Sequence, residues 1–152
     1  IRVKSAEEMF NAVREQLPHT DIVIKAAAVA DYTPVTVADS KIKKSDGDMS
    51  IPLKRTTDIL RYIGENKHEG LTVCGFSMET DNVIENSRKK LSSKNADMIC
   101  ANSLRSAGAG FGTDTNIITL ITENNAEELE QMSKSDAANI NLSRPLDLRK
   151  SR

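Results

Sequence analysis

Three short apolar runs, Ile22-Val23-Ile24, residues 71–76 (LTVCGF) and residues 96–101 (ADMICA), limit what this chain can fold into more than any other feature. They have the composition of strands buried on both faces, as in a parallel sheet, and stretches with helical spacing separate them. Ser5 and Glu8 form a capping box ahead of Met9, Phe10, Val13 and Leu17, which predicts a helix over 6–16 that Pro18 ends. Thr56, Thr57 and Asp58 open a second helical pattern through Ile59, Leu60 and Ile63, with two candidate caps. Val83, Ile84 and Leu91 mark a third helix over 81–95. Strands alternating with helices in this way make the doubly wound α/β pattern.

The first strand, read as the central one over 21–28, empties into small residues, one acid and a lysine cluster. Ala26, Ala27 and Ala28 leave room for a ligand against the backbone. Asp31 follows where a sheet of this type places its ligand, at the carboxyl end of a strand. After an extended connection through Tyr32, Pro34 and Val37, the lysines Lys41, Lys43 and Lys44 share one loop and can gather phosphate oxygens. The same residues also suit an Ala-rich packing strand followed by a solvated charged loop. Residues 49–53 (MSIPL) predict a short strand that Pro52 confines to an edge. Backbone amides at the helix start beside Thr57 and Asp58 can receive a phosphate. Gly75 and Phe76 begin a second small, polar strand exit, GFSMET. The helix after it carries Arg88, Lys89, Lys90 and Lys94, of which Lys90 and Lys94, four apart, share a face. Those two suit an anion site or a solvated basic face. Asn102 stands at the end of the third apolar run.

Residues 106–112 (SAGAGFG) form a glycine-rich loop. It lacks the G-x-G-x-x-G spacing and precedes a strand rather than joining a strand to a helix, which sets aside a dinucleotide site there. Residues 116–122 (NIITLIT) predict a strand, 123–125 a turn and 127–132 a further edge strand. Ser133 and Asp136 would cap a last helix through Ala137, Ala138 and Ile140, cut short ahead of Pro145. Residues 143–152 are then expected to be a polar, frayed tail behind a single domain over 1–142.

With 21 Lys and Arg against 22 Asp and Glu, a net charge of −1 gives no global attraction to nucleic acid or an anionic membrane, so any anion site must be local. Cys74 and Cys100 sit inside apolar runs and read as reduced core residues. Two histidines and no C-x-x-C pair leave few ligands for a protein-held metal. No run approaches the roughly 20 apolar residues of a membrane span, and no signal-peptide pattern opens the chain, so a cytoplasmic location is expected. Ile1-Arg2-Val3 reads as the tail of a strand, which predicts sequence upstream.

Taken together, AAAVADY (26–32), KIKK (41–44), TTDIL (56–60), GFSMET (75–80), the Lys90 and Lys94 pair before ADMICAN, and GFGTDTN (110–116) come in a familiar order and spacing. Over about residues 3–132 the chain resembles phosphopantothenoylcysteine synthetase, a ligase of coenzyme A biosynthesis. The resemblance implies a Rossmann-like three-layer α/β fold with a mainly parallel sheet and a small antiparallel flap extension used in dimerisation. It implies a homodimer, in many bacteria fused behind a flavin-dependent decarboxylase. The implied reaction joins cysteine to 4′-phosphopantothenate with CTP and Mg2+ or another divalent ion. An acyl-cytidylate and pyrophosphate form first; the amine of cysteine then attacks the acyl carbon to give the amide and CMP. A carboxylate is a poor electrophile and needs that leaving group, while fixed cations and a divalent ion stabilise the charge built at phosphorus.

Carried over by motif, Ala26 and Ala27 would let the base approach the backbone and Asp31 would hydrogen-bond the nucleotide. Thr57, Asp58, Ile59 and Leu60 would form the phosphate-receiving helix start. Phe76 would lie against the nucleotide, and Lys90 and Lys94 would reach the triphosphate. Lys41 resembles the flap lysine that closes over the acyl intermediate, with a catalytic role in the second half-reaction. Asn102 and Asp114 fall in family motifs without a defined role. The family also has a Gly-rich segment and a helix ahead of the point matching Ile1, which supply an asparagine and part of the phosphopantothenate site. Two other readings are a nicotinamide-dependent oxidoreductase, whose fingerprint is missing, and a non-catalytic nucleotide-binding module.

Overall fold

The computed structural model describes residues 1–43, 47–103 and 114–150, so Lys44 and the glycine-rich loop at 106–112 lie outside the described residues. Ser5 Oγ accepts the Glu8 amide at 3.1 Å and starts helix α1 (Ala6–Gln16). The Glu8 carboxylate takes the Lys4 amide at 2.6 Å, so the predicted box closes one residue early. Pro18 ends α1 in a 3-10 turn, and strand β1 (Ile22–Lys25) follows. Two extended pieces, β2 (Tyr32–Pro34) and β3 (Leu53–Arg55), pair antiparallel as a separate ribbon. Next come α2 (Ile59–Glu65), β4 (Thr72–Glu79), α3 (Val83–Ser93) and β5 (Met98–Ser103), the alternation that the apolar runs predict. The chain then forms β6 (Thr115–Asn116), β7 (Ile118–Ile121), β8 (Ala126–Glu128), β9 (Met132–Ser133) and α4 (Lys134–Lys150).

The main sheet runs β1-β4-β5-β7-β8, with β1 and β5 parallel to β4, and β7 and β8 antiparallel additions. Alternation along the strands divides the core in two. On one face Val73, Ile99 and Ile121 pack with Ile59, Leu60, Ile63 and Leu91 beneath α1, α2 and α3. On the other, Cys74, Met98, Cys100, Ile118 and Leu120 meet Ala137, Ile140 and Leu148 of α4. This is the expected three-layer α/β fold, and each buried aliphatic side chain contributes about 1.5–3 kcal/mol. Gly75 sets how closely α2 approaches the sheet, because a Cβ there would lie 2.6 Å from Leu60 Cδ2 and 3.0 Å from Ile99 Cδ1.

Three expectations are corrected. Among the described strands β1 is an edge, not the centre; it is half-buried and stops at Lys25, leaving residues 26–28 outside any strand. Its single β4 neighbour explains the partial burial. The strand expected over 49–53 begins only at Leu53, although the Pro52 carbonyl still accepts the Val35 amide at 2.9 Å. The last helix does not end near Ile140 but continues to Lys150 with Pro145 buried inside it. Leu148 packs on the core, Arg144 reaches Glu127 at 2.8 Å and Arg149 reaches Asp21 at 2.7 Å, so the polar end is docked. Its start is as predicted, with Ser133 Oγ accepting the Asp136 amide at 3.1 Å and donating to Asp136 Oδ2 at 2.6 Å.

Cys74 and Cys100 are free, buried thiols with Sγ atoms 3.6 Å apart, and Cys100 Sγ lies 3.0 Å from Asn141 Oδ1. The contact with Cys74, and burial after it, push the Cys100 thiol far above its ordinary range. Among the described residues no helix is long and apolar enough to cross a membrane.

Candidate functional site

One stitch joins the chain beyond the carboxyl end of β1 to the start of α2. Thr56 donates its amide to the Asp31 carbonyl at 2.9 Å and its hydroxyl to the Ala30 carbonyl at 2.6 Å. The stitch sets the exposed backbone at Ala26, Ala27 and Asp31 beside Thr57, Asp58 and the buried Ile59 and Leu60. Ile59 and Leu60 belong to the core, so only their backbone is available to a ligand.

Asp58 is the cap of α2 and more. Its Oδ1 accepts the Arg61 amide at 3.0 Å, while Oδ2 meets Lys94 Nζ at 2.6 Å. Partial burial works to raise its pKa, but the Lys94 and Arg61 hydrogen bonds and the charges of Lys94 and Lys25 outweigh that and hold the carboxyl below its ordinary range. Lys94 gets there because α2 tolerates a backbone approach at Gly64, where a Cβ would lie 1.8 Å from the Lys94 carbonyl oxygen. Asn95, with a φ of 48°, turns the chain there and donates Nδ2 to the Gly64 carbonyl at 2.8 Å. Lys94 is thus just past the end of α3, while Lys90 is within it.

Lys90 Nζ lies 2.8 Å from Glu79 Oε1, the last residue of β4, whose side chain is only 15% exposed. Glu79 Oε1 is shielded from solvent, and its contact with Lys90 is an ion pair. Asn86 Nδ2 approaches the other Glu79 oxygen at 3.4 Å. The two lysines are therefore each held by an acid at the same end of the sheet. Lys89 pairs with Glu85 and Arg88 reaches the Glu123 carbonyl, both away from that pair. Phe76 projects to the α4 side and packs on that half of the core.

Some predicted residues stay apart. Lys41 is exposed in irregular chain and makes no ion pair among the described residues. The Asp114 carbonyl receives the Lys134 amide at 3.0 Å. Asn102 is the penultimate residue of β5, with its Oδ1 shielded and without a hydrogen-bond partner among the described residues. Two residues escaped the sequence reading. Glu79, the last residue of β4, offered only its place in GFSMET as a signal. Lys25 gave a clearer one, a lone charge closing a β-branched run. Its Nζ donates to the Ala27 carbonyl at 2.9 Å, and burial, opposed by Asp58 and Asp31, pulls its pKa down. Among the described residues no three His, Cys, Asp or Glu side chains converge as a metal cage.

The arrangement offers a backbone shelf of alanines, a helix start and two acid-held lysines at the carboxyl end of a parallel sheet, the usual ligand position in this architecture. The family described as DNA/pantothenate metabolism flavoprotein C-terminal domain matches residues 1–145. A Coenzyme A biosynthesis bifunctional protein CoaBC from Bacillus subtilis is 50% identical over 139 residues, 91% of this chain and 34% of that protein. A cysteine/cysteine sulfinic acid decarboxylase from an unknown prokaryotic organism is 47% identical over 139 residues, 91% of this chain and 39% of that protein. The crystal structure of the C-terminal domain of a CoaBC protein superposes with a TM-score of 0.79 at 37% identity, covering all of this chain and 68% of that one. Its likeness extends to the Rossmann-like α/β fold, and this chain spans about a third of the length of the relatives it matches. On a match over 1–145 and half identity across 91% of its length, the chain belongs to the DNA/pantothenate metabolism flavoprotein C-terminal domain family.

Proposed function

We propose that this chain carries the ligase step of coenzyme A biosynthesis, joining cysteine to 4′-phosphopantothenate at the expense of CTP. The observation that carries the reading is the stitch from Thr56 to Ala30 and Asp31, which puts the alanine shelf and the α2 start beside Lys94. The base lies on the backbone of Ala26 and Ala27, near Asp31. The phosphates face the turn at Thr57 and Asp58, and Phe76 borders the site from the α4 side. Lys90 and Lys94 exchange Glu79 and Asp58 for phosphate oxygens when the triphosphate arrives. Because the acids already hold both ammonium groups in place, less side-chain freedom is lost on binding.

The carboxylate of phosphopantothenate then displaces pyrophosphate from the α-phosphorus, and the lysines offset the charge that develops there. A divalent ion, when bound, supplies further Lewis-acid charge to the phosphates. Mg2+ is commonly held by phosphate oxygens and water with one or two carboxylates, and such an ion would ride on the triphosphate. Lys41, on exposed chain, closes over the acyl-cytidylate while the cysteine amine attacks and CMP leaves.

Val35, Val37, Met49, Ile51 and Leu53, on or beside the β2 and β3 ribbon, are 49–82% exposed. That apolar surface supports a homodimer joined through the ribbon. The CoaBC relatives are bifunctional by name and another relative is named a decarboxylase, which supports a decarboxylase fused to or associated with this chain; a biosynthetic role of that kind fits cytoplasmic action. Calorimetric titration with CTP, ATP and NAD tests the nucleotide assignment. CTP binding is expected, and tight NAD binding with no heat from CTP would sink the reading.

A further inference from the structure

Lys25 is the charged residue of this site that the ligase motifs leave unused. It ends β1 opposite Gly75, where the neighbouring strand presents no side chain. Among the described residues its ammonium closes on no acid, although Asp58 and Asp31 are near enough to oppose the effect of burial on it. Instead Nζ donates to the Ala27 carbonyl, two residues on, at 2.9 Å. That bond spans the point where the strand gives way to residues 26–28, which belong to no helix or strand and are exposed. The next ties along the chain are those of Thr56 to Ala30 and Asp31. Alanine has no polar side chain, so a nucleotide lying on this shelf meets backbone groups, and their orientation governs its fit.

We propose that Lys25 is a positioning residue of the nucleotide edge, whose ammonium holds the Ala27 carbonyl and thereby fixes the backbone of residues 26–28. The role rests on the ligase reading above. The charge also offsets Asp31 and Asp58, two carboxylates that would otherwise repel an incoming triphosphate. Lysine reaches this post because its apolar stem lies along the strand end while the head reaches the exposed shelf.

The test uses the full gene product with Lys25→Met, which keeps the stem and removes the donor, and Lys25→Arg, which restores charge and donor. CTP dissociation constants by calorimetry should rise about tenfold for the methionine variant, as for a lost charged hydrogen bond. The arginine variant should stay within about threefold of the parent. In nucleotide-free protein, amide exchange at residues 26–29 should quicken in Lys25→Met while β4 and β5 keep their protection. Should the methionine variant melt more than about 5 °C low, Lys25→Leu, which also lacks a donor, replaces it. Parental CTP affinity in Lys25→Met overturns the role, as does unchanged exchange at residues 26–29. If the parent protein binds no CTP, the ligase reading falls, and the exchange comparison still decides whether Lys25 holds that backbone.

Discussion

Asp58 caps α2 through Oδ1 and binds Lys94 through Oδ2, so two substitutions can separate its jobs. Asp58→Ala removes both. Losing an N-cap costs about 0.5–2 kcal/mol. The ion pair adds less, because the Asp58 and Lys94 side chains are 45% and 25% exposed and solvent screens them; such pairs contribute about 0.2–1 kcal/mol. Asp58→Asn keeps a good capping residue and loses the charge, so it should cost no more than the ion-pair share. Urea unfolding should therefore rank the parent above Asn and Asn above Ala, with about 1–2.5 kcal/mol between the extremes. A double-mutant cycle with Lys94→Met should return the smaller share as coupling. The pH dependence has a definite sign. Burial works against the shift, but Lys94, the Arg61 amide and Lys25 leave the folded carboxyl below its ordinary 3.8. Its stabilising contribution is complete above that ordinary value and is lost as pH falls toward the lower folded one. The Asn variant should lose part of this acid-limb slope. Equal destabilisation by Asn and Ala, or a parental acid limb in the Asn variant, would refute the division of labour.

Three further outcomes follow from the geometry. Gly64→Ala should destabilise by more than about 2 kcal/mol, since the clash is with the Lys94 backbone carbonyl and must shift main chain; it should also weaken CTP binding by displacing Lys94, and a neutral effect in calorimetry would contradict the close approach. Cys74 and Cys100 should resist an aromatic disulfide reagent at pH 8 until urea unfolds the chain, because contact and burial keep the Cys100 thiol protonated; rapid native-state labelling would contradict their packing. Lys41→Gln should still form the acyl-cytidylate, seen by mass spectrometry, but stall before the amide, and normal amide yield would remove Lys41 from the second half-reaction.

The alternation of strands and helices was legible because each apolar run carries its own period, and the caps at Ser5 and Ser133 were legible because capping chemistry is local. The place of β1 was not, since sheet order depends on partners far along the chain and periodicity says nothing of them. The reach of α4 was hidden for a different reason. Its buried positions, Ala137, Asn141 and Pro145, recur at four-residue spacing, but an asparagine and a proline carry no hydrophobic signal. At the site, the lysines stood out as a cluster, yet their acid partners did not. Asp58 and Lys94 are 36 residues apart, and what brings them together is a missing Cβ at Gly64.

In the function proposed, the shelf, the helix start and the two lysines serve an acyl-nucleotide ligation. Its most direct test is the full gene product incubated with CTP, 4′-phosphopantothenate and cysteine, with pyrophosphate, CMP and amide quantified together. Equal amounts of all three are expected, and pyrophosphate with acyl-cytidylate but no CMP burst when cysteine is withheld. No pyrophosphate, or pyrophosphate release indifferent to phosphopantothenate, would contradict it and leave at most a nucleotide-binding module.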